Sequence, residues 1–202
     1  RIEELYARNS KVYDKVIQFI LAVSTFMLIN RNVGFMKVAA SPLAAVALAA
    51  ICTFLPLGVT IVAATALILL HMYSVSLGIL AVTAVLILVM YIFYLRLAPR
   101  MALVVLLTPL AFFLHIPYVL PVACGLASAP GSMVAVICGT MVYYMMEYVK
   151  KAAANLDGSG VKGMLSQGTD YLSKVFQNKE MWVVVTAFVI CFFIVFAFRR
   201  AS

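Results

Sequence analysis

The stretch LGILAVTAVLILVMYIFYL, residues 77–95, decides the fold. It holds no charged residue, and no Gly or Pro follows Gly78. Its length matches the roughly 20 apolar residues that one helix needs to cross the hydrocarbon core of a bilayer. Tyr91, Tyr94 and Arg96 close it, in the aromatic and basic pattern typical of a membrane interface. The stretch therefore predicts a transmembrane helix.

The sequence on both sides extends this interpretation to the whole chain. Residues 38–95 and 101–146 carry no formal charge, and 66% of the chain is apolar while only 11% is charged. A soluble domain has roughly 25% charged residues. The apolar runs are continuous and do not alternate with period two, so helices are expected, since they satisfy every backbone group inside lipid. The predicted fold is all-α: a polytopic integral membrane helical bundle of about six transmembrane helices, within a range of roughly five to eight.

Charge and hydropathy divide the chain into four segments. The basic residues stand at the ends of apolar runs, as in membrane proteins. Residues 150–180 form the one long polar stretch, and the spacing from Met164 to Phe176 predicts a short amphipathic helix. The predicted segments are an N-terminal amphipathic helix with a short apolar stretch (1–37), a membrane domain (38–149), a polar cytoplasmic segment (150–180) and a C-terminal transmembrane helix (181–202). The apolar part of the first segment, 16–29, is short for a span; it is either a tilted span extended by its flanks or a helix in the interface.

Helix breakers interrupt the membrane domain at two places. Leu55-Pro56-Leu57-Gly58 precedes the apolar stretch 57–72, and Pro117, Pro121, Pro130 and Gly131 crowd the stretch 115–131. Because Pro lacks a backbone donor and Gly adds freedom, both places predict broken or re-entrant segments. Irregular backbone at membrane depth is tolerated where it lines a cavity or is buried in protein.

A weak match with an offset near 53–54 residues links residues 55–97 with residues 108–151. Ser74–Val82 aligns with Ser128–Val136, and Tyr94 and Arg96 align with Tyr148 and Lys150. Two interpretations stay open, a direct tandem repeat and the chance similarity of apolar sequences. A direct repeat would begin both units on the same side of the membrane.

The basic clusters predict the topology. With Arg31/Lys37, Arg96/Arg100 and Lys150/Lys151 all cytoplasmic, 38–95 and 101–149 each cross an even number of times and form two helical hairpins. In the alternative topology, 57–72 is a full transmembrane span and one basic cluster lies on the non-cytoplasmic side of the membrane. The positive-inside rule favours the hairpins.

Six polar residues near the breakers are the candidates for a substrate path: Ser74, Ser76, His71, His115, Ser128 and Ser132. Broken helices with small and hydroxyl residues form substrate sites in transporters. The alternative is that 125–132 is a turn outside the bilayer, which favours the same residue types, and that the histidines bond free carbonyls near a Pro.

Other chemistry has little support. The chain has no G-x-S-x-G, no HExxH and no Gly-rich phosphate loop, so no enzyme, cofactor or metal site is predicted. Cys52, Cys124, Cys138 and Cys191 lie in apolar segments without a CxxC pair and are interpreted as small apolar residues. No nucleic-acid partner is expected, because the net charge of +8 flanks apolar runs and forms no basic face.

Two functions remain. The first is membrane transport, by a channel or a permease-like subunit of a membrane complex. The second is a non-catalytic assembly or accessory subunit that binds other membrane proteins through its spans and residues 150–180. The expected partners are the bilayer and other membrane subunits or copies of the chain, and the expected location is the cell (plasma or inner) membrane.

Overall fold

The chain folds into helices joined by short connections. The computed structural model describes residues 2–37, 39–99, 101–127, 130–152 and 161–201, with side chains from Val12 onward except at 152 and 161–165. Within these ranges all regular structure is α-helical. The helices are α1 (Ile2–Val33), α2 (Pro42–Phe54), α3 (Leu57–Val75), α4 (Leu77–Leu97), α5 (Ala102–Phe113), α6 (Val119–Ala127), α7 (Ser132–Ala152), α8 (Val161–Phe176) and α9 (Lys179–Ala201).

Five of the described helices are long and apolar enough to cross a membrane: Val12–Val33, Leu57–Val75, Leu77–Leu97, Ser132–Lys151 and Lys179–Ala201. α2 and α5 are shorter apolar helices. The all-α class is confirmed, and the five long apolar helices suggest a membrane-embedded protein. The stretch 16–29 lies within α1, a continuous helix of 32 residues, because its polar flanks continue the same helix.

The interruption expected at 57–75 is absent, since α3 is one continuous 19-residue helix. Pro56 stands just before its first turn, where the first helical N–H groups have no intrahelical partner and a missing donor costs little. The break falls between helices instead. Leu55 and Pro56 are extended after α2, and Ser76 is extended between α3 and α4.

Hydrogen bonds between helices define two ends of the bundle, which we name by the residues that flank α4: the Ser76 end and the Leu97 end. At the Leu97 end, the Gln18 amide of α1 donates to the carbonyls of Cys52 and Leu55, both at 2.9 Å. At the Ser76 end, Asn30 of α1 reaches His71 of α3. α1, α2, α3 and α4 therefore alternate in direction.

α7 begins at the Leu97 end, where Gly131 lies against the carbonyl of Leu97. Further along, Cys138 Sγ lies 4.0 Å from the Met90 carbonyl. α4 and α7 are thus antiparallel. A direct repeat would make these matched helices parallel, so the structure does not support a direct repeat.

This helix order differs from the two predicted hairpins. α2, α3 and α4 each run between the two ends, so Arg31 lies at the Ser76 end and Arg96 at the Leu97 end. α7 carries Lys150 and Lys151 back to the Ser76 end. This order agrees with the alternative topology, in which 57–72 runs from one end of the bundle to the other. The reason is that Pro56 precedes a helix and does not interrupt one.

α7 is the central helix of the bundle. It packs on α1, α4, α5, α6, α8 and α9, while α8 packs mainly on α4 and α6 mainly on α9. The helix expected around 164–176 is present as α8. The side of the membrane that it faces stays a prediction.

Candidate binding crevice

Of the predicted path residues, His71 lies in a closed hydrogen-bond network. Its side chain is fully buried. The backbone N–H of Met36 donates to Nδ1 at 3.3 Å, so Nε2 carries the ring proton and donates to Asn30 Oδ1 at 3.0 Å. The Asn30 amide in turn donates to the Ala39 carbonyl at 3.0 Å. His71 therefore joins α1, α3 and the loop that leads to α2.

The neighbouring serines also make local bonds. Ser74 Oγ donates to the His71 carbonyl at 2.7 Å, and Ser76 Oγ donates to Gln167 Oε1 of α8 at 2.6 Å. His115 is exposed in the turn between α5 and α6, where its φ of 60° places it in the left-handed region. The contacts of the described residues do not bring Ser74, Ser76 and His115 together on one polar surface.

Ser132 lies far from that group. It is buried in the first turn of α7, at the Leu97 end, where it shares a hydrogen bond with Cys124 of α6. α4 separates this end from Ser74 and Ser76 by about 30 Å, given its 21 residues. Ser128 lies outside the described residues. The structure thus does not assemble the described candidates into one wall.

A different feature occupies the middle of the bundle. A crevice of about 70 Å³ lies where α1, α3, α4, α5 and α7 meet, and it is partly open. We call it the central crevice. Almost all of its surface is apolar carbon, from side chains such as Ile68, Ile87, Leu106 and Met146. No charged residue contributes to its lining.

Two hydroxyl groups in this lining contact each other. Thr65 Oγ1 donates to the Ile61 carbonyl at 2.9 Å and lies 2.9 Å from the Tyr91 hydroxyl. Because a Thr hydroxyl has a single proton, Tyr91 is the donor between the two side chains. The lone pairs of the Tyr91 oxygen are then left to accept one further hydrogen bond.

The crevice can bind an apolar group, and it lacks the means to hold a polar solute. Its volume exceeds the 10–15 Å³ or so that one water needs, but a buried water also needs two to four polar partners. The Thr25 hydroxyl is already bonded to the Leu21 carbonyl at 2.8 Å. An alkyl chain that enters through the opening would contact apolar side chains along its length.

Sequence reasoning missed the crevice because its residues are ordinary apolar ones. The signal lies in their spacing: Ile61, Ala64, Thr65 and Ile68 on α3, and Ile87, Met90, Tyr91 and Tyr94 on α4, both follow the i, i+3, i+4, i+7 pattern of one helix face. The α3 face carries the Thr65 hydroxyl, and the α4 face carries the hydroxyls of Tyr91 and Tyr94. Two facing stripes of this kind would have indicated a contact, though not the space between them.

Comparison of the chain with protein-family models, with curated proteins and with solved structures gives no match. Among the described residues, no three His, Cys, Asp or Glu side chains come together as a metal site would require.

Proposed function

We propose that this chain is an integral membrane protein that binds the apolar part of a membrane molecule in the central crevice, as the binding step of a transporter or permease-like subunit. The observation that carries the proposal is the crevice itself, an apolar space of about 70 Å³ at the meeting of five helices. A chain of the lipid type satisfies this lining by dispersion contacts and places no unpaired polar group inside it.

The same chemistry argues against an ion or a small polar solute as the substrate. Moving an unpaired polar group from water into an apolar site costs several kcal/mol, on the order of 2–7, and a charge costs more. The polar residues predicted to line a substrate path could offset this free-energy cost only if they lay along one continuous path. Ser76 and Ser132 lie at opposite ends of α4, and each is already hydrogen-bonded.

A crevice-filling substitution tests the proposal. Ala64 lines the crevice and is 6% exposed, so Ala64→Leu places a larger side chain inside it. The matched control is Ala81→Leu on α4, at an exposed position that would face lipid. We expect the purified wild type and A81L to retain bound lipid in native mass spectrometry, and A64L to lose at least about tenfold of that occupancy, which corresponds to about 1.4 kcal/mol.

Two further variants separate loss of binding from loss of fold. Thr65→Val keeps the shape of the side chain and removes one hydroxyl, and Tyr91→Phe removes the other. Each should retain lipid close to the wild-type level, because an alkyl chain forms no hydrogen bond with either hydroxyl. Equal lipid retention by wild type and A64L, with similar thermal stability, would exclude the crevice as the binding site.

The accessory-subunit role remains a second candidate because α8 leaves apolar groups uncovered. Leu172 and Phe176 are 37% and 44% exposed, beside a surface ion pair between Lys174 and Asp170. Another membrane subunit with an apolar and polar surface would fit there. Deletion of 157–178 should weaken association with such a subunit and leave membrane insertion intact, whereas an unchanged complex would argue against this role.

A further inference from the structure

A polar cleft lies at the Ser76 end of the bundle, between the last turns of α1 and α7. Asn32, Tyr143, Glu147, Lys150 and Lys151 line it. Unlike the central crevice, it combines amide, hydroxyl and ammonium groups. We call it the end cleft.

Among the residues that line the end cleft, Lys151 and Glu147 form an ion pair and Lys150 is outside it. Lys151 Nζ lies 2.7 Å from Glu147 Oε1, in the favourable i, i+4 arrangement of a helix. Lys150 makes no ion pair with another described residue. The carboxylate of Glu180 on α9 accepts a hydrogen bond from the Tyr144 hydroxyl, and it also acts electrostatically on Tyr143 and Lys151. The ammonium of Lys150 therefore stands available for an anion.

The Tyr143 ring is held in place beside this charge. It stacks on Phe112 of α5 with ring centroids 4.5 Å apart and planes 17° apart. This stacking fixes the direction of the hydroxyl group, which can donate one hydrogen bond. Tyr143, Asn32 and Lys150 together offer three kinds of donor to one anionic group.

The end cleft continues the central crevice along the same two helices. On α1, Thr25, Leu28 and Ile29 line the crevice and Asn32 lines the cleft. On α7, Met146 lines the crevice and Lys150, four residues later, lines the cleft. Residues three or four apart lie one turn apart on a helix, about 5 Å along the axis. The two sites are thus one turn apart along α1, and on α7 they lie on neighbouring faces, since Tyr143 and Glu147 of the cleft directly follow Val142 and Met146 of the crevice.

We infer that the ligand is an anionic phospholipid, whose chain occupies the central crevice while its phosphate binds Lys150, Asn32 and Tyr143 in the end cleft. This inference rests on the proposed function and adds the chemical class of the ligand. A phosphate diester matches the cleft because it carries one negative charge and accepts hydrogen bonds from several donors. A zwitterionic headgroup adds a cation beside Lys150 and is disfavoured.

The test uses the full chain in nanodiscs and measures which lipids remain bound after extraction. One set contains phosphatidylcholine alone, a second contains equal phosphatidylcholine and phosphatidylglycerol, and a third contains that same mixture with inorganic phosphate in the buffer. We expect wild type to retain phosphatidylglycerol in preference to phosphatidylcholine. Lys150→Gln should reduce that preference about tenfold, because it removes a charge-assisted hydrogen bond to the phosphate.

Lys179→Gln is the matched control, since Lys179 is an exposed lysine at the same end of the bundle, on α9 and outside the cleft. Equal losses in K150Q and K179Q would mean diffuse attraction to the membrane surface and would overturn the inference. So would occupancy of the cleft by inorganic phosphate that abolishes the preference, which would indicate a free-anion site.

The outcomes also separate this inference from the proposed function. If wild type retains phosphatidylcholine and phosphatidylglycerol equally, and A64L loses both, the crevice binds lipid and the headgroup inference is wrong. If wild type retains neither lipid, the proposed function fails together with the inference.

Discussion

α7 and α9 are both long apolar helices, yet they occupy opposite environments. In the apolar window of α7, 61% of the residues are buried inside the protein, whereas in α9 the share is 22%. α9 is the more apolar of the two. In a soluble protein the more apolar helix would lie in the core. Here the order is reversed, as expected where the surroundings are lipid.

The residues of the two helices account for this reversal. α7 holds Ser132, Cys138, Gly139 and Thr140, which are small and let neighbouring backbones approach. Thr140 satisfies its own hydroxyl by donating to the Val136 carbonyl at 2.8 Å. α9 is rich in Phe, Val and Ile, and many of these side chains are exposed. Small and weakly polar residues therefore help α7 to lie at the centre of the bundle, while α9 keeps many of its large apolar side chains on the outer surface.

Two phenylalanines of α9 offer the sharpest test of this difference. Phe188 is fully buried against Phe112 and Tyr118, with ring centroids 5.8 and 5.6 Å away. Phe193 is 52% exposed. Phe188→Ala should cost about 3–5 kcal/mol, because it leaves a cavity, while Phe193→Ala should cost under about 1 kcal/mol, because lipid replaces the lost contacts. Reversible unfolding in bicelles measures both, and equal costs would break the comparison.

α7 also holds α8 in place through Tyr171. The Tyr171 ring lies 5.5 Å from the Tyr148 ring of α7, and its hydroxyl bonds the Thr83 hydroxyl of α4 at 3.3 Å. Burial raises the pKa of Tyr171 to about 12, and the bond with Thr83 opposes this rise only in part. The pKa of Tyr171 in the folded protein is higher than the usual value near 10. Burial of the neutral tyrosine therefore contributes fully to the stability of the folded protein below pH 10, and this contribution is lost as the pH rises toward 12.

We therefore expect stability to fall by roughly 2–3 kcal/mol between about pH 10 and pH 12 on account of this residue. Tyr171→Phe should remove that part of the pH dependence, while Tyr73→Phe, at a position 64% exposed, should leave it unchanged. Thermal unfolding across this pH range gives the measurement. Identical pH profiles for wild type and Y171F would contradict the burial of Tyr171 against α4 and α7.

A smaller effect is expected at Gly139 of α7. A Cβ at this position would lie 2.5 Å from Thr108 Cβ of α5 and 3.0 Å from both its Cγ2 and its Oγ1. Gly139→Ala should therefore destabilise the protein by about 1–3 kcal/mol through overpacking. At Gly58 of α3 a Cβ would meet nothing within 4 Å, so Gly58→Ala should be neutral or stabilise by up to about 1 kcal/mol. A stabilising G139A would show that α5 and α7 are less closely packed than described.

Much of the helix content follows from the sequence, because uncharged runs such as 77–95 allow only helices in lipid. α8 was also predictable, since Tyr171, Leu172, Val175 and Phe176 recur at helical spacing. The direction of the helices was harder. A proline such as Pro56 can either interrupt a helix or precede its first turn, and the sequence does not tell these cases apart. The hydrogen bond between Gln18 and the Leu55 carbonyl shows that a helix begins after Pro56.

The site was less predictable than the fold. Polar residues near breakers drew attention to His71, Ser74 and Ser76, whose hydrogen bonds join α1, α3 and α8. The central crevice depends on how five helices fail to fill the space between them. The space left between helices depends on side-chain packing at the scale of a few Å, which no single residue or motif in the sequence indicates.

The occupant of the central crevice is the central claim, and photocrosslinking tests it most directly. A phosphatidylglycerol with a diazirine in the middle of one chain is reconstituted with the full protein, irradiated and mapped by mass spectrometry. Tyr91 and Met146 line the crevice, while Phe193 lies on the exposed face of α9. The account predicts adducts on Tyr91 and Met146 that Ala64→Leu abolishes, with adducts on Phe193 unchanged. Adducts on Phe193 alone, in wild type as in A64L, would contradict it.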